Sequence, residues 1–521
     1  MIAGQSKAMN GAQSLVTSLI GGGIDVCFAN PGTSEMHFVA ALDQIAGIRC
    51  VLGLQENVVT GMADGFYRIA RRPAATLLHC GPGLSNGLGN LHNARRGNSG
   101  IVNIVGDQAT WHRPHDAPLT ADTEALARTV SDWVRTSRRS ADVGQDAMMA
   151  TQIARQVGGG IATLILPSDA SWDEGGRVAA PLPDIAPPAI DELAVETAAK
   201  ILRSHGKDTL ILLGAHATLA EPQRAAWRVA SATGATLLGE YVCASIARGR
   251  GHLQLERVPY VQKLAAKVLD RFSHVILVGA KRPVGFFGYP GQPSELSNPQ
   301  TVFHTLSRPE QDPEAALMAL AEALGAPKVA IPDPGPRPEV ATGAPTPEGL
   351  AQTLAALMPD GAIVSDESIS YGRGLYANTY AAPAHDWLHL TGGAIGDGLP
   401  VATGAAIAGH GRRVIGLQAD GSAMYSVQAL WTQARERLPV TTIILSNRRY
   451  NILINEYNNV GATPGQTAMN MLDLADPAIG WVDMARSMGI EAAQAETLDV
   501  CADLMQQSFR SDAPFLIELL I

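Results

Sequence analysis

The sequence predicts an α/β protein built from three successive doubly wound parallel-sheet domains. Three observations carry this. The chain has 521 residues, 46% of them hydrophobic and 17% charged, enough for roughly three cores at about 150 residues per domain. Short runs rich in Val, Ile and Leu alternate with longer helical stretches. Two proline-dense segments, Ala179 to Pro188 and Ala326 to Gly349, can continue neither a helix nor a sheet interior, so they read as linkers.

The domains expected are 1–180, 189–325 and 345–521. In the first, the apolar runs are DVCFANPG, RCVLGLQE, ATLLHCGPG, IVNIVGDQ and ATLILPSD. The second has TLILLGA, ATLLGE and HVILVGA, and the third AIVSDES, RVIGLQADG, TTIILSN and FLIELLI. Continuous apolar strands ending in Gly, Asp or Asn suit parallel sheets covered on both faces. Ligands of such sheets sit beyond the carboxyl ends of the strands, which is where chemistry is to be sought.

The formal net charge is −10, with basic residues scattered, which argues against a nucleic-acid surface. No stretch offers about 18 uninterrupted apolar residues, so no membrane span is expected. Cys27, Cys50, Cys80, Cys243 and Cys501 are odd in number and form no C-x-x-C pair, against a disulfide framework or a zinc site and in favour of a reducing cytoplasm.

In the third block, RRVIGLQADGS puts Asp420 and Gly421 at a strand end, and TTIILSN ends a second strand in Asn447. A carboxylate and an amide oxygen from neighbouring strand ends are hard ligands that suit Mg²⁺. Gly421 and Ser422 then open a helix whose N-terminal amides face a diphosphate. By itself, an Asp-Gly after a strand is most often just a turn.

At these residues the sequence resembles the thiamine-diphosphate (ThDP) enzymes, whose signature is GDG followed by NN; here it stands as Ala419-Asp420-Gly421 and Ser446-Asn447. The resemblance implies ThDP and Mg²⁺ as cofactors, with Asp420, Asn447 and the backbone carbonyl of Arg449 as metal ligands. The segment from Gly392 through Gly393 and Ile395 to Pro400 is similar to an element of acetohydroxyacid synthases and benzoylformate decarboxylases in which a bulky residue, here Ile395, bends the cofactor. Ser365 to Ser370 resembles the N-E-S-T-S stretch of benzoylformate decarboxylases, making Ser368 and Ser370 diphosphate candidates, although helix capping explains them equally well. Tyr450 follows the anchor, with Arg448, Asn451 and Glu456 beyond it on what the family uses as the substrate side; an arginine there suits a carboxylate.

Glu56, in VLGLQENVVTGMADGFYR, matches the glutamate by which the family activates its cofactor. A carboxyl group on the pyrimidine N1′ favours the imino tautomer that removes the C2 proton. Asn30, Pro31 and Gly32, in the N-P-G-T-S-E stretch, resemble a loop lining the same cavity. His79 matches a catalytic histidine of benzoylformate decarboxylases, a proton carrier that favours decarboxylation; a histidine in a glycine-rich turn also serves as an ordinary hydrogen-bonding residue. His115, and less strongly His112, are further polar candidates.

The implied activity is decarboxylation or carboligation of a small-molecule 2-oxo acid through a C2 ylid and enamine intermediate. The alternatives are a true acetolactate synthase joining two pyruvates, and a non-catalytic subunit or scaffold, motivated by the ADG and SN departures. In the family the site lies between subunits, which implies at least a homodimer, with a homotetramer common. FAD, bound in the middle domain of acetohydroxyacid synthases, has no complete nucleotide motif to hold it here.

Overall fold

The computed structural model describes residues 8–521. Among them lie three sheets. The first holds β1 (Val26–Ala29), β2 (Arg49–Leu52), β3 (Ala74–Leu78), β4 (Ile101–Asp107), β5 (Trp133–Thr136) and β6 (Ile161–Pro167), all parallel, in the order β2-β1-β3-β4-β6-β5. The second holds β7 (Thr209–Leu213), β8 (Thr236–Gly239), β10 (His274–Val278) and β11 (Val302–Ser307), again parallel, in the order β11-β10-β7-β8.

The third sheet comprises β12 (Ala362–Glu367), β13 (His385–His389), β14 (Val414–Ala419), β15 (Val440–Ser446), β16 (Glu491–Ala495) and β17 (Phe515–Leu520). It also takes β9 (Ser245–Arg248), which belongs to the middle stretch of sequence and pairs antiparallel with β13. The order is β16-β17-β15-β14-β12-β13-β9. The sheet is therefore not purely parallel, as the sequence suggests, but carries one antiparallel edge strand.

The apolar runs all become strands. The strands that the hydrophobic pattern does not mark are β5, β9, β11, β13 and β16, with sequences such as SIAR, HDWLH and EAAQA. Four of these five are edge strands. An edge position has one neighbour only and tolerates polar residues that a central strand, buried on both faces, excludes.

The chain forms two compact units. One comprises the described residues to Ala186 together with Gly392–His410 and Ser426–Leu438. Its core packs Leu15, Leu19, Phe38 and Val143 with Ile104 and Leu164 of the first sheet. The other comprises Pro187–Thr391, Gly411–Tyr425 and Pro439–Ile521. Here one continuous core runs through the second and third sheets, joining Ile211 and Ile276 to Val364, Ile415, Ile443 and Ile517.

Within the first unit the helix Glu56–Ala70 packs tightly against the helix Gly398–Ala408. Glycine makes the crossing possible. A Cβ on Gly65 would lie 2.1 Å from the Val401 carbonyl oxygen, and one on Gly404 would lie 1.9 Å from that of Met62. Beside the crossing, fully buried Arg68 pairs with Asp64, and its guanidinium lies 3.9 Å from Asp397 at the start of the second helix.

Candidate active site

In the first unit, Glu56 opens its helix. The preceding Gln55 caps that helix, its side-chain oxygen accepting from the Asn57 and Val58 amides at 2.6 and 3.2 Å. Glu56 is 8% exposed, and its Oε2 accepts from Asn86 Nδ2 at 3.1 Å. Its Oε1 lies over Gly83, where a Cβ would come within 3.1 Å. Gly83 is in the first turn of the 17-residue helix Cys80–Arg96, so the carboxylate faces the positive end of a helix dipole.

That helix also holds the Ile395 loop. Asn93 brackets Ala394, accepting from its amide at 3.2 Å and donating to its carbonyl at 2.7 Å. Asn90 donates to the Gly396 carbonyl at 3.2 Å and to that of Asn57 at 2.8 Å. Gly393 and Gly396 have φ of +81° and +92°, which lets the loop fold back between these amides. Ile395 is half-buried there. Glu56 and Ile395 are thus set by one helix face carrying Asn86, Asn90 and Asn93. The motif comparison does not reach these asparagines. Their signal was present: asparagine is a poor helix-interior residue, and three at i, i+4, i+7 mark a stripe with hydrogen-bonding work.

His79 lies between β3 and the same helix. Its Nδ1 is 2.9 and 3.1 Å from the two oxygens of Glu35, which is 2% exposed. Glu35 also accepts from the Gly32 amide at 2.8 Å and from the Ser34 hydroxyl. Gly32 is required because a Cβ there would fall 2.1 Å from the imidazole. The Asn30 amide donates to the Leu77 carbonyl at 3.1 Å, and Pro31 is exposed. Cys80 follows His79, its thiol pushed up to about 11 chiefly by burial. His115 is exposed on the short turn Arg113–His115, its ring 5.8 Å from that of half-buried His112. The structure brings neither into a hydrogen bond with His79 or Glu56 among the described residues.

In the second unit, Asp420 and Asn447 immediately follow the adjacent parallel strands β14 and β15. Asp420 is 3% exposed and accepts from the Gly421 and Arg448 amides at 2.8 and 2.6 Å. Burial raises its pKa from the ordinary value, and these amides pull it back. Asn447 is half-buried, and its side-chain oxygen accepts from the Arg449 amide at 3.0 Å. The Arg449 carbonyl accepts from the Asn451 amide at 3.0 Å. The side chains of Arg448 and Arg449 are exposed. The Tyr450 ring covers Gly421 so closely that a Cβ there would lie 2.4 Å from it.

The helix expected from Gly421 and Ser422 is instead a single turn, Asp420–Ala423, with Ser422 buried and bonded to the Ala419 carbonyl at 3.0 Å. So short a turn has little macrodipole to offer an anion. Nearby, Ser368 donates to Asp366, whose other oxygen takes the Trp387 indole N–H at 3.0 Å. Ser370 precedes the short turn Tyr371–Gly374 without capping it.

The donor set suits a hard divalent cation. Asp420 and Asn447 offer oxygens alone, and each donor accepts hydrogen bonds from backbone amides while keeping unused lone pairs. The approach of Tyr450 to Gly421 leaves room for backbone and no more.

The chain is similar to several known proteins. Residues 9–126 match the family model described as the N-terminal TPP-binding domain of thiamine pyrophosphate enzymes, and residues 374–519 match the C-terminal one. A Mycobacterium tuberculosis protein named as an acetolactate synthase large subunit, IlvX, is 47% identical over 98% of this chain and 99% of its own. The chain belongs to the thiamine pyrophosphate enzymes. It is a ThDP-dependent enzyme of the acetolactate synthase and benzoylformate decarboxylase type. Benzoylformate decarboxylase of Pseudomonas aeruginosa is 28% identical, covering 95% of this chain and 96% of its own. The solved ThDP-dependent 4-hydroxybenzoylformate decarboxylase of Rhodococcus jostii shares the fold, with a TM-score of 0.84 at 24% identity over 98% of both chains. The two matched TPP-binding domains carry Glu56 and the Asp420–Asn447 pair respectively.

Proposed function

We propose that this ThDP enzyme is Mg²⁺-dependent and decarboxylates a 2-oxo acid, releasing an aldehyde or passing the remaining acyl fragment to a second carbonyl. The observation that carries the reading is Glu56. It is a buried carboxylate at a helix start with one amide partner on one oxygen and a glycine beneath the other. When bound, ThDP supplies the carbon nucleophile and the electron sink for CO₂ loss.

The chain's own residues do the rest. Glu56 holds a proton at the aminopyrimidine. Ile395, fixed by Asn90 and Asn93, shapes the cofactor's bend. Asp420, Asn447 and the Arg449 carbonyl would hold the cation, while Gly421, Ser422, Ser368, Ser370 and Tyr450 surround the diphosphate. Asn30, Pro31, Gly32 and Gly393 line the cofactor's other end. Glu35 fixes the His79 imidazole through Nδ1, leaving Nε2 to carry a proton at the reacting carbon. His115 is the second proton carrier in this reading. The assembly is a homodimer or a homotetramer.

The test is incubation with benzoylformate and with pyruvate in the presence of ThDP and Mg²⁺. Free aldehyde is expected, Glu56→Gln should abolish it without abolishing ThDP binding, and absence of metal-dependent ThDP binding by calorimetry overturns the reading. A second reading, acetolactate synthesis, is favoured by the name of the 47%-identical relative. Acetolactate from pyruvate with no free aldehyde would establish it instead.

A further inference from the structure

Glu35, His79 and Cys80 bring three kinds of ligand atom within 4.8 Å of one another. The His79 Nδ1 to Glu35 distance is 2.9 Å, and Cys80 Sγ lies 3.9 Å from the other Glu35 oxygen. Ser34 Oγ joins them, 3.1 Å from Sγ and 3.4 Å from Nδ1. With sulfur at about 2.3 Å and nitrogen or oxygen at about 2.0–2.2 Å, a tetrahedral zinc ion separates its ligand atoms by roughly 3.4–3.6 Å. The two Glu35 distances straddle that range and Sγ lies within 4.8 Å of Nδ1, so the cluster closes on a cation with shifts of roughly 0.5–1.3 Å.

The frame is fixed and the entrance is open. Glu35 is held by the Gly32 amide, and Gly106 leaves it the space a Cβ would take at 1.6 Å from Oε1. Cys80 is 1% exposed and forms the floor, whereas the His79 side chain is 22% exposed and forms the mouth. The ligand types differ from those at Asp420 and Asn447: thiol and imidazole select a borderline-soft cation over Mg²⁺.

We propose that Glu35, His79 and Cys80 form a capture site for Zn²⁺, and that filling it switches the enzyme off by drawing His79 Nδ1 onto the metal. On capture the Sγ–H bond breaks, an Sγ–Zn bond forms and that proton leaves to solvent; the Nδ1 proton facing Glu35 is also released as the Nδ1–Zn bond forms, and Nε2 takes up a proton from solvent, so the imidazole stays neutral. Nothing is oxidised or reduced. The six-coordinate aqua ion gives up five waters to three protein ligands and tetrahedral geometry, and keeps one water at the fourth position. The thiol is protonated in the free protein because burial holds it up at about 11, so zinc has to displace that proton. The inhibitory half rests on His79 being the proton carrier; the binding half does not.

The experiment uses the full-length protein carrying Cys50→Ser, which removes the exposed cysteine. Titration with Co²⁺, in excess Mg²⁺, should give one equivalent with a thiolate-to-cobalt charge-transfer band and tetrahedral ligand-field bands, all displaced by Zn²⁺. Adding Cys80→Ser should remove the charge-transfer band. His79→Gln should weaken binding by about 100-fold or more, since loss of groups merely behind a ligand already costs roughly 10–100-fold. A band that survives Cys80→Ser, or that never forms with the cluster intact, overturns the site. In turnover assays Zn²⁺ should inhibit reversibly by chelator, with the midpoint about 100-fold higher in Cys80→Ser relative to that variant's own uninhibited rate. Zinc occupancy without inhibition overturns the switch. A protein that binds Co²⁺ through Cys80 but turns over no 2-oxo acid keeps the site and defeats the catalytic reading.

Discussion

Adding a single methyl group at Gly65 tests whether the helix crossing in the first unit sets Glu56 against the Ile395 loop. In Gly65→Ala the new Cβ meets the Val401 carbonyl oxygen at 2.1 Å and the Val401 Cα at 2.7 Å. Both are backbone atoms, so no rotamer relieves the contact. Restoring ordinary separation requires the Glu56–Ala70 and Gly398–Ala408 helices to part by roughly 1 Å. Overpacking of this kind costs about 1–3 kcal/mol, while alanine in place of a helical glycine returns about 0.5–1 kcal/mol. The net loss expected is about 1–2 kcal/mol, read as a lower urea midpoint with an unchanged slope. Gly21→Ala is the control, because nothing lies within 4 Å of a Cβ there. It should be neutral or slightly stabilising. The separation also shifts Glu56 against the Ile395 loop, so ThDP affinity should fall with stability in Gly65→Ala and not in Gly21→Ala. Equal midpoints in the two variants would refute the reasoning.

Asn93→Leu removes two hydrogen bonds to Ala394, each worth about 0.5–1.5 kcal/mol, and one to Asn90, so it should lower the urea midpoint and weaken ThDP binding by roughly 5- to 150-fold; unchanged calorimetric affinity would show that the Ile395 loop holds itself. Arg68→Met removes the cationic partner of Asp64 and Asp397 in a site where the guanidinium is 1% exposed, leaving Asp64 the Ser99 hydroxyl at 2.5 Å, and should cost about 3–5 kcal/mol in denaturant titrations; a loss under about 1 kcal/mol would mean that the remaining donors suffice. Burial first, and the Arg248 guanidinium next, hold His385 down from 6.5 to about 3, so it folds neutral and donates from Nδ1 to the Pro383 carbonyl at 2.7 Å. Its contribution is complete above pH 6.5 and is lost as pH falls toward 3, at about 1.4 kcal/mol per pH unit, and His385→Asn should flatten the decline of the urea midpoint between pH 6.5 and 5; parallel slopes for the two proteins would refute it.

The central strands were legible because burial on both faces demands unbroken apolar sequence, as in TLILL of β7 and VTTIILS of β15. The strand-end carboxylate and amide at Asp420 and Asn447 were legible for a related reason. Short-range chemistry at the end of an apolar run is written in consecutive letters. Edge strands such as β9 were not, since SIAR carries no pattern until His385–Leu388 is beside it.

The sequence by itself therefore determined the fold class and the cofactor family, because each depends on residues close together in the chain. Only the tertiary structure decided what holds those residues. Glu35 reaches His79 across 44 positions, and Asn93 reaches Ala394 across 301. Such pairings are fixed by which helix faces the packing of apolar surfaces brings together. That packing is a property of the whole core, which hydrophobic periodicity predicts for each element but not between elements.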